Sequence, residues 1–352
     1  MDIHRYKPGR APRVRASRLL RGPDIAHGMG SLPLVDTFSA FQEFWKVARD
    51  LPIERQIALW EREYMAPWPE LLAKQKENYR ALGRTWKGVA LTRVFPQLPD
   101  RLERMRRLHA GLLRALPHAW AGARKRLGIR FPVRFVIYVG IGCGMGWATR
   151  LKGQPAVLFG LENAAEQHDG SRDIWPGLVA HEVAHLAHYE WRRQHHRATP
   201  DPVRPMSPFW QLYEEGFATQ AEREVSGPEA FALRTGDPHW LPWCQRHRRW
   251  LATKFLEDAR ARRSVRPFFG SWYNVRGHIE TGYYLGAEVV REWRRAWSFE
   301  TCAVLSEDVA KELARKALRG IASGEIPAQR TGQGRLVPMV QRHGSHRPGE
   351  LR

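Results

Sequence analysis

Apolar residues recur with the helical period over most of the chain and give way to a β-like texture only once. Behind the capping-type residues Asp36 and Thr37, the side chains of Phe38, Phe41, Phe44 and Trp45 fall on one face and predict a helix start. Residues 57–82 and 100–127 carry the same period. Pro67, Pro69, Pro96 and Pro99 bound or break them, because proline lacks the N–H a helix interior needs. Near residue 130 the pattern changes. Residues 134–140 are dense in Val, Ile, Phe and Tyr, Gly142, Gly144 and Gly146 mark a wide turn, and 155–160 is a second apolar run, which together predict a small sheet with a loop. From Asp173 the helical period returns, with helices predicted at 175–193, 208–225, 240–263, 282–297 and 306–321. Helices, a few strands and then helices define an α+β class, mostly helical.

The ends differ from the middle. Residues 1–30 and 322–352 are rich in Arg, Pro and Gly without periodicity and read as disordered basic tails. Between them lie a helical N-terminal layer at 31–130 and a second domain at 131–321. The chain has a formal net charge of +21, of which the two tails carry only +5 and +3, so the folded part is itself basic. Such a field attracts nucleic acid, anionic lipid or acidic protein without choosing among them. Three cysteines, Cys143, Cys244 and Cys302, stand far apart with no CxxC pair, and no apolar segment resembles a secretion signal or spans a bilayer. A cytoplasmic protein without membrane segments is expected.

Chemistry concentrates in His181-Glu182-Val183-Ala184-His185, an HExxH sequence inside a strong helical pattern. A helix turns about 100° per residue, so the two imidazoles lie one turn apart on one face and can reach one ion. Glu182 is rotated off that line, close enough to hold and deprotonate a water. A third ligand is available in Tyr213-Glu214-Glu215-Gly216-Phe217-Ala218 on a later helix. Glu215 is the candidate from the spacing of Phe209, Leu212 and Gly216, with Glu214 as competitor if that helix is rotated. Gly216 removes a side chain where two helices must approach around a shared ion. Glu222 either accepts a hydrogen bond from a ligand histidine or is an exposed carboxylate paired with Arg223. His188 shares the face of His185, but Trp191 stands where a metzincin's last histidine would be, so His188 is expected near the site or on the surface, not as a ligand.

HExxH, then Glu-Glu-Gly-Phe-Ala, then Gly282-Tyr283-Tyr284-Leu285-Gly286 resembles the gluzincin type of metallopeptidase, closest to a family of predicted zinc-dependent proteases of unknown function. The likeness spans about 134–297. It implies a zincin-like fold with the sheet preceding the HExxH helix, Zn2+ held by His181, His185 and Glu215, and Glu182 as general base. It also implies that a phenol of Tyr283 or Tyr284 stabilises an oxyanion, the alternative being that both pack a helix start. The strand at 155–160, ending in Leu161-Glu162, resembles the edge strand along which such enzymes lay an extended peptide. Peptide or protein is then the substrate. The basic run Arg192, Arg193, His195, His196 and Arg197 either favours acidic substrates or is a solvated loop.

Three rival readings have weaker support in the sequence. Gly140-Ile-Gly142-Cys-Gly144 mimics a dinucleotide fingerprint, but no phosphate-binding helix follows it and no acidic residue sits on a next strand. Fifteen tryptophans interleaved with arginine invite nucleic-acid binding, yet most recur with Leu and Phe at core spacing and no nucleic-acid motif is present. A metal scaffold without turnover has no use for Glu182 as a base.

Overall fold

The computed structural model describes residues 32–81, 83–197, 206–270 and 273–327, so the tail at 1–30 and most of that at 322–352 lie outside the described residues. The architecture is α+β. Four strands, β1 (Leu34–Asp36), β2 (Arg134–Tyr138), β3 (Gly146–Leu151) and β4 (Gln154–Gly160), form one sheet in the order β1-β2-β4-β3. β1, β2 and β4 run parallel, and β3 returns antiparallel along β4.

The run at 155–160 is therefore not an edge. β4 lies between β2 and β3, and its residues from Pro155 to Gly160 are all buried, the continuous apolar signature of a strand covered on both faces. The edges are β1 and β3, and β3 starts within the glycine-marked turn at 142–146. Lys152 and Gly153 both take positive φ, 49° and 69°, making the two-residue hairpin turn whose twist matches paired strands. Lys-Gly in place of Asn-Gly hid that hairpin. Residues 161 and 162 start a helix instead of ending a strand.

The helices before the sheet are α1 (Phe38–Ala48), α2 (Ile53–Leu59), α3 (Pro69–Ala81), α4 (Trp86–Val89) and α5 (Leu98–Leu127). The predicted 57–82 helix is broken by a π turn at Trp60–Tyr64 and a bend before Pro69. After β4 come α6 (Leu161–Gln167), α7 (Trp175–Gln194), α8 (Pro208–Ser226), α9 (Ala230–Thr235), α10 (Trp240–Arg246), α11 (Arg248–Arg260), α12 (Thr281–Trp293), α13 (Phe299–Ala303) and α14 (Glu307–Ser323). The predicted 240–263 helix is two helices, parted at His247.

The N-terminal layer is tied into the sheet. β1 pairs with β2, Thr37 Oγ1 donates to Ile137 O at 2.9 Å, and Trp60 Nε1 donates to Val139 O at 3.1 Å. One continuous apolar core runs from Phe38 to Ile321. At its centre lies α7, packed between α5, α8 and the sheet and buried on nearly every side. Each of the fourteen described tryptophans is buried in this core or packed against it, where a large apolar side chain contributes roughly 1.5–3 kcal/mol. Among the described residues no helix is long and apolar enough to cross a membrane.

Candidate metal centre and cleft

α7 presents His181 and His185 on one face, as the i, i+4 spacing requires, and α8 brings Glu215 up to them. The two Nε2 atoms are 3.2 Å apart, and Glu215 Oε2 lies 3.5 Å from that of His181 and 3.4 Å from that of His185. Two imidazole nitrogens and one carboxylate oxygen are a usual zinc donor set. With ligand bonds of about 2.0–2.1 Å, tetrahedral geometry separates donor atoms by roughly 3.3–3.4 Å, so the triangle fits such an ion. Among the described residues this is the group of three His, Cys, Asp or Glu side chains that could hold a metal.

The electrostatics of the triangle favour a positive charge at its centre. Burial works against ionising Glu215, but His185 and His181 outweigh it and hold the carboxyl well below its usual range. Burial likewise opposes charging His185, yet Glu215 overrides it and lifts the imidazole to about 9. A proton or a metal ion answers the same field.

Glu222 is not the exposed carboxylate paired with Arg223 that was one of its two expected placements, but is fully buried behind His181. His181 Nδ1–H donates to Glu222 Oε2 at 3.1 Å, which turns the Nε2 lone pair toward the triangle. Arg234 Nη2 donates to the same oxygen at 2.7 Å. Burial alone would raise Glu222, but Arg234 and His181 keep it below its ordinary value. Arg223 is engaged with Glu288 instead, at 3.2 Å. Glu214, the alternative ligand, is buried, hydrogen-bonded to Tyr189 and raised chiefly by burial. The side chain of His188 is neither a ligand nor a surface group. It is fully buried, 2.9 Å from the Tyr213 hydroxyl, which itself donates to Cys302 O.

The triangle opens on a cleft of about 600 Å³. Glu182 lines it, 7 % exposed and raised by burial despite the opposing pull of His181 and His185. The first residue of β3 faces it closely: a Cβ on Gly146 would stand 2.7 Å from Glu182 Cγ. The glycine loop thus ends in the edge strand that walls the cleft, with Gly144, Gly146 and Trp147 among its lining residues.

The two tyrosines part ways. Tyr283 lines the cleft with its ring 6.0 Å from that of His181, and burial, Glu215 and Glu280 keep its phenol protonated far beyond neutral pH. Tyr284 is 1 % exposed, edge-on to Trp240 and under the Arg223 guanidinium, outside the cleft lining. Gly216 does permit a close helix approach, but toward α12, not α7. A Cβ there would stand 2.2 Å from the carbonyl carbon of Gly286.

The basic run at 192–197 does not line the cleft. Arg192 is buried, donating to Ala303 O and Leu305 O and stacked over Trp210, while Arg193 pairs with Glu190 and His195 with Glu300. Sequence reasoning passed over Tyr189, Arg234 and Glu280, all cleft residues. None has a motif to announce it, because each is placed by helix packing. No family model, curated protein or solved structure matches the chain.

Proposed function

We propose that the protein is a zinc-dependent hydrolase that cleaves amide bonds of a peptide or protein, of the gluzincin type. The observation that carries this reading is the close triangle of His181, His185 and Glu215 with the Glu182 carboxylate beside it in an open cleft. A purely structural zinc site is closed by four protein ligands, whereas three protein donors facing a cleft leave room for a reactant. His181, His185 and Glu215 would hold the zinc, which would supply Lewis acidity.

This chain's own groups supply the remaining chemistry. Glu182, whose proton affinity is raised by burial, takes a proton from the attacking water and delivers it to the leaving amine. Tyr283 keeps its O–H and donates it to the oxygen on which negative charge develops. β3 offers the unpaired backbone groups of an edge strand, so an extended peptide can add to the sheet with little dependence on its side chains. Glu222 and Arg234 hold the His181 ring in its donor orientation.

The decisive experiment is Glu182→Gln. The variant should keep about one zinc per chain by elemental analysis and lose cleavage of a mixed peptide library by a factor of about 10²–10⁴, the usual weight of a general base. Cleavage that survives the substitution removes Glu182 from the mechanism. Absence of cleavage in the wild type, with zinc bound, favours a scaffold without turnover.

A further inference from the structure

Beneath the glycine run at 140–146 lies a carboxylate that the proposed chemistry does not use. Glu162, in the first turn of α6, is fully buried and makes no ion pair among the described residues. Its Oε1 accepts the Gly142 N–H at 2.9 Å, and the Gly140 N–H acts on the same carboxylate. Burial raises its proton affinity, and these two loop N–H groups are the first to oppose that. Arg101 opposes it less, from a guanidinium that donates to Glu162 O at 3.3 Å and lies 3.6 Å from Glu166.

The loop is shaped to reach this carboxylate. A Cβ on Gly140 would stand 2.4 Å from Gln75 Oε1 and 3.0 Å from Glu162 Oε1, so a side chain there would push the backbone away. Gly142 takes φ 82°, in the left-handed region that glycine adopts without strain. Three further ties hold the run. The Tyr79 hydroxyl donates to Ile141 O at 2.6 Å, Cys143 Sγ to Gln75 O at 3.7 Å, and the Gly160 N–H to Met145 O at 3.0 Å. Tyr79 and Gln75 belong to α3, so the N-terminal layer grips the loop as well.

The same loop walls the cleft. Gly142, Cys143, Gly144 and Met145 are among the lining residues, and the run continues into Gly146 and the β3 edge. Among the described residues the N–H groups of Cys143, Gly144 and Met145 make no backbone hydrogen bond, so they are not committed to the sheet. Backbone donors at this position suit the carbonyl groups of an extended chain. Their value depends on placement, since a misplacement of about 1 Å in a binding element can cost a reaction about 10²-fold.

We infer that Glu162 is a positioning residue for the substrate: from beneath, it sets the glycine loop where the loop's backbone receives the main chain of an extended peptide. What matters is then where its oxygen stands, not its charge. Oε2 is buried without a partner, so an amide nitrogen in its place gives up no hydrogen bond. The inference rests on the hydrolase reading for the identity of the ligand, and binding tests it without turnover.

The test compares two variants in the zinc-loaded E182Q protein. E162Q keeps the reach of the side chain and loses its charge, whereas E162D keeps the charge and withdraws the oxygen by about one bond length, roughly 1.5 Å. Calorimetry measures affinity for a neutral peptide blocked at both ends, competitive chelation measures zinc affinity, and mass spectrometry follows hydrogen exchange at residues 140–146. E162D should weaken peptide binding about tenfold and speed exchange in the loop, with zinc affinity within about twofold of the parent. E162Q should stay within about threefold of the parent in peptide affinity. If E162D does not fold, Y79F, which releases only the tie to Ile141, takes its place with the same expectation.

Unchanged peptide binding in E162D overturns the proposal, as does equal loss in both variants. So does a loss of peptide binding that zinc affinity follows, which would mark a general structural role. Failure of E162Q to fold overturns it too, because that variant leaves the oxygen in place, and so does a parent that binds no peptide. The hydrolase reading fails separately, as a bound peptide that the protein with Glu182 intact leaves uncut.

Discussion

Gly216 and Gly286 bring the backbones of α8 and α12 into contact. A Cβ on Gly216 would lie 2.2 Å from the Gly286 carbonyl carbon, and one on Gly286 would lie 2.2 Å from Leu212 O. Both obstacles are backbone, which cannot swing aside as a side chain can. Since Glu215 is next to Gly216, the crossing that this pair allows also sets how far the Glu215 carboxylate reaches toward His181 and His185 on α7.

Gly216→Ala and Gly286→Ala should each destabilise the protein by about 1–3 kcal/mol, the range for overpacking a close contact. Their zinc affinity should fall further than that of an equally destabilised variant remote from α8. Thermal unfolding and competitive chelator titration measure the two effects. Wild-type affinity in Gly216→Ala would mean that the helix crossing does not govern the ligand.

The neighbouring glutamates should separate cleanly. Glu215→Ala removes one of three donors and should reduce bound zinc from about one per chain to near zero after mild dialysis. Glu214→Gln keeps its hydrogen-bonding shape toward Tyr189 and should retain the metal. The reverse pattern, read by elemental analysis, would exchange their roles.

Much of this site was legible before any coordinates. HExxH carries its geometry in its spacing, and Glu215 followed from the apolar face of α8, because both depend on the period of one helix. What stayed illegible depends on contacts between elements. Glu222 is buried between α7, where Gly177 and His181 meet its carboxylate, and α9, which delivers Arg234, and nothing local distinguishes it from a surface glutamate. Gly216 was recognised as a contact point, but its partner Gly286 lies on a helix seventy residues away. The fold class was readable from the alternation of textures. The edge strand was not, since β3 begins in glycines, has intermediate exposure along most of its length and turns on Lys152-Gly153, while three-residue β1 owes its existence to pairing with β2.

Tyr283 and Tyr284 are adjacent in sequence and should differ in effect. Tyr283→Phe removes the cleft phenol and should lower kcat by about 10²-fold with KM little changed, the signature of a donor used in the transition state. Tyr284→Phe changes a buried ring and should leave kcat within about twofold. Steady-state kinetics on any cleaved peptide from the library decides between them, and equal losses would deny Tyr283 a special role.

His188 should give the protein an acid-sensitive stability. Burial first, and then Arg192 and His185, push its pKa well below the ordinary 6.5. As pH falls below about 6.5 the unfolded chain takes up a proton that the folded chain refuses, so this contribution to stability is complete above that pH and is lost below it. The slope is at most about 1.4 kcal/mol per pH unit. Denaturant unfolding of wild type and His188→Gln between pH 5 and 7.5 should show a flatter acid limb in the variant, whatever its stability at neutral pH.

The pairing of β1 with β2 also sets an order of assembly during synthesis. Thr37 and Ile137 are 100 residues apart in sequence, and the sheet that walls the cleft is parallel at this point. A nascent chain leaves the ribosome with β1 and α1 first, and these have no sheet to join until the whole helical layer and β2 have followed. β1 is thus made long before its partner strand and seated late, whereas its apolar companions Phe38 and Phe41 meet ring partners sooner, at His109 and Tyr64. While residues 36 to 138 are being translated, β1 has no strand to pair with and its hydrogen-bonding edge is open.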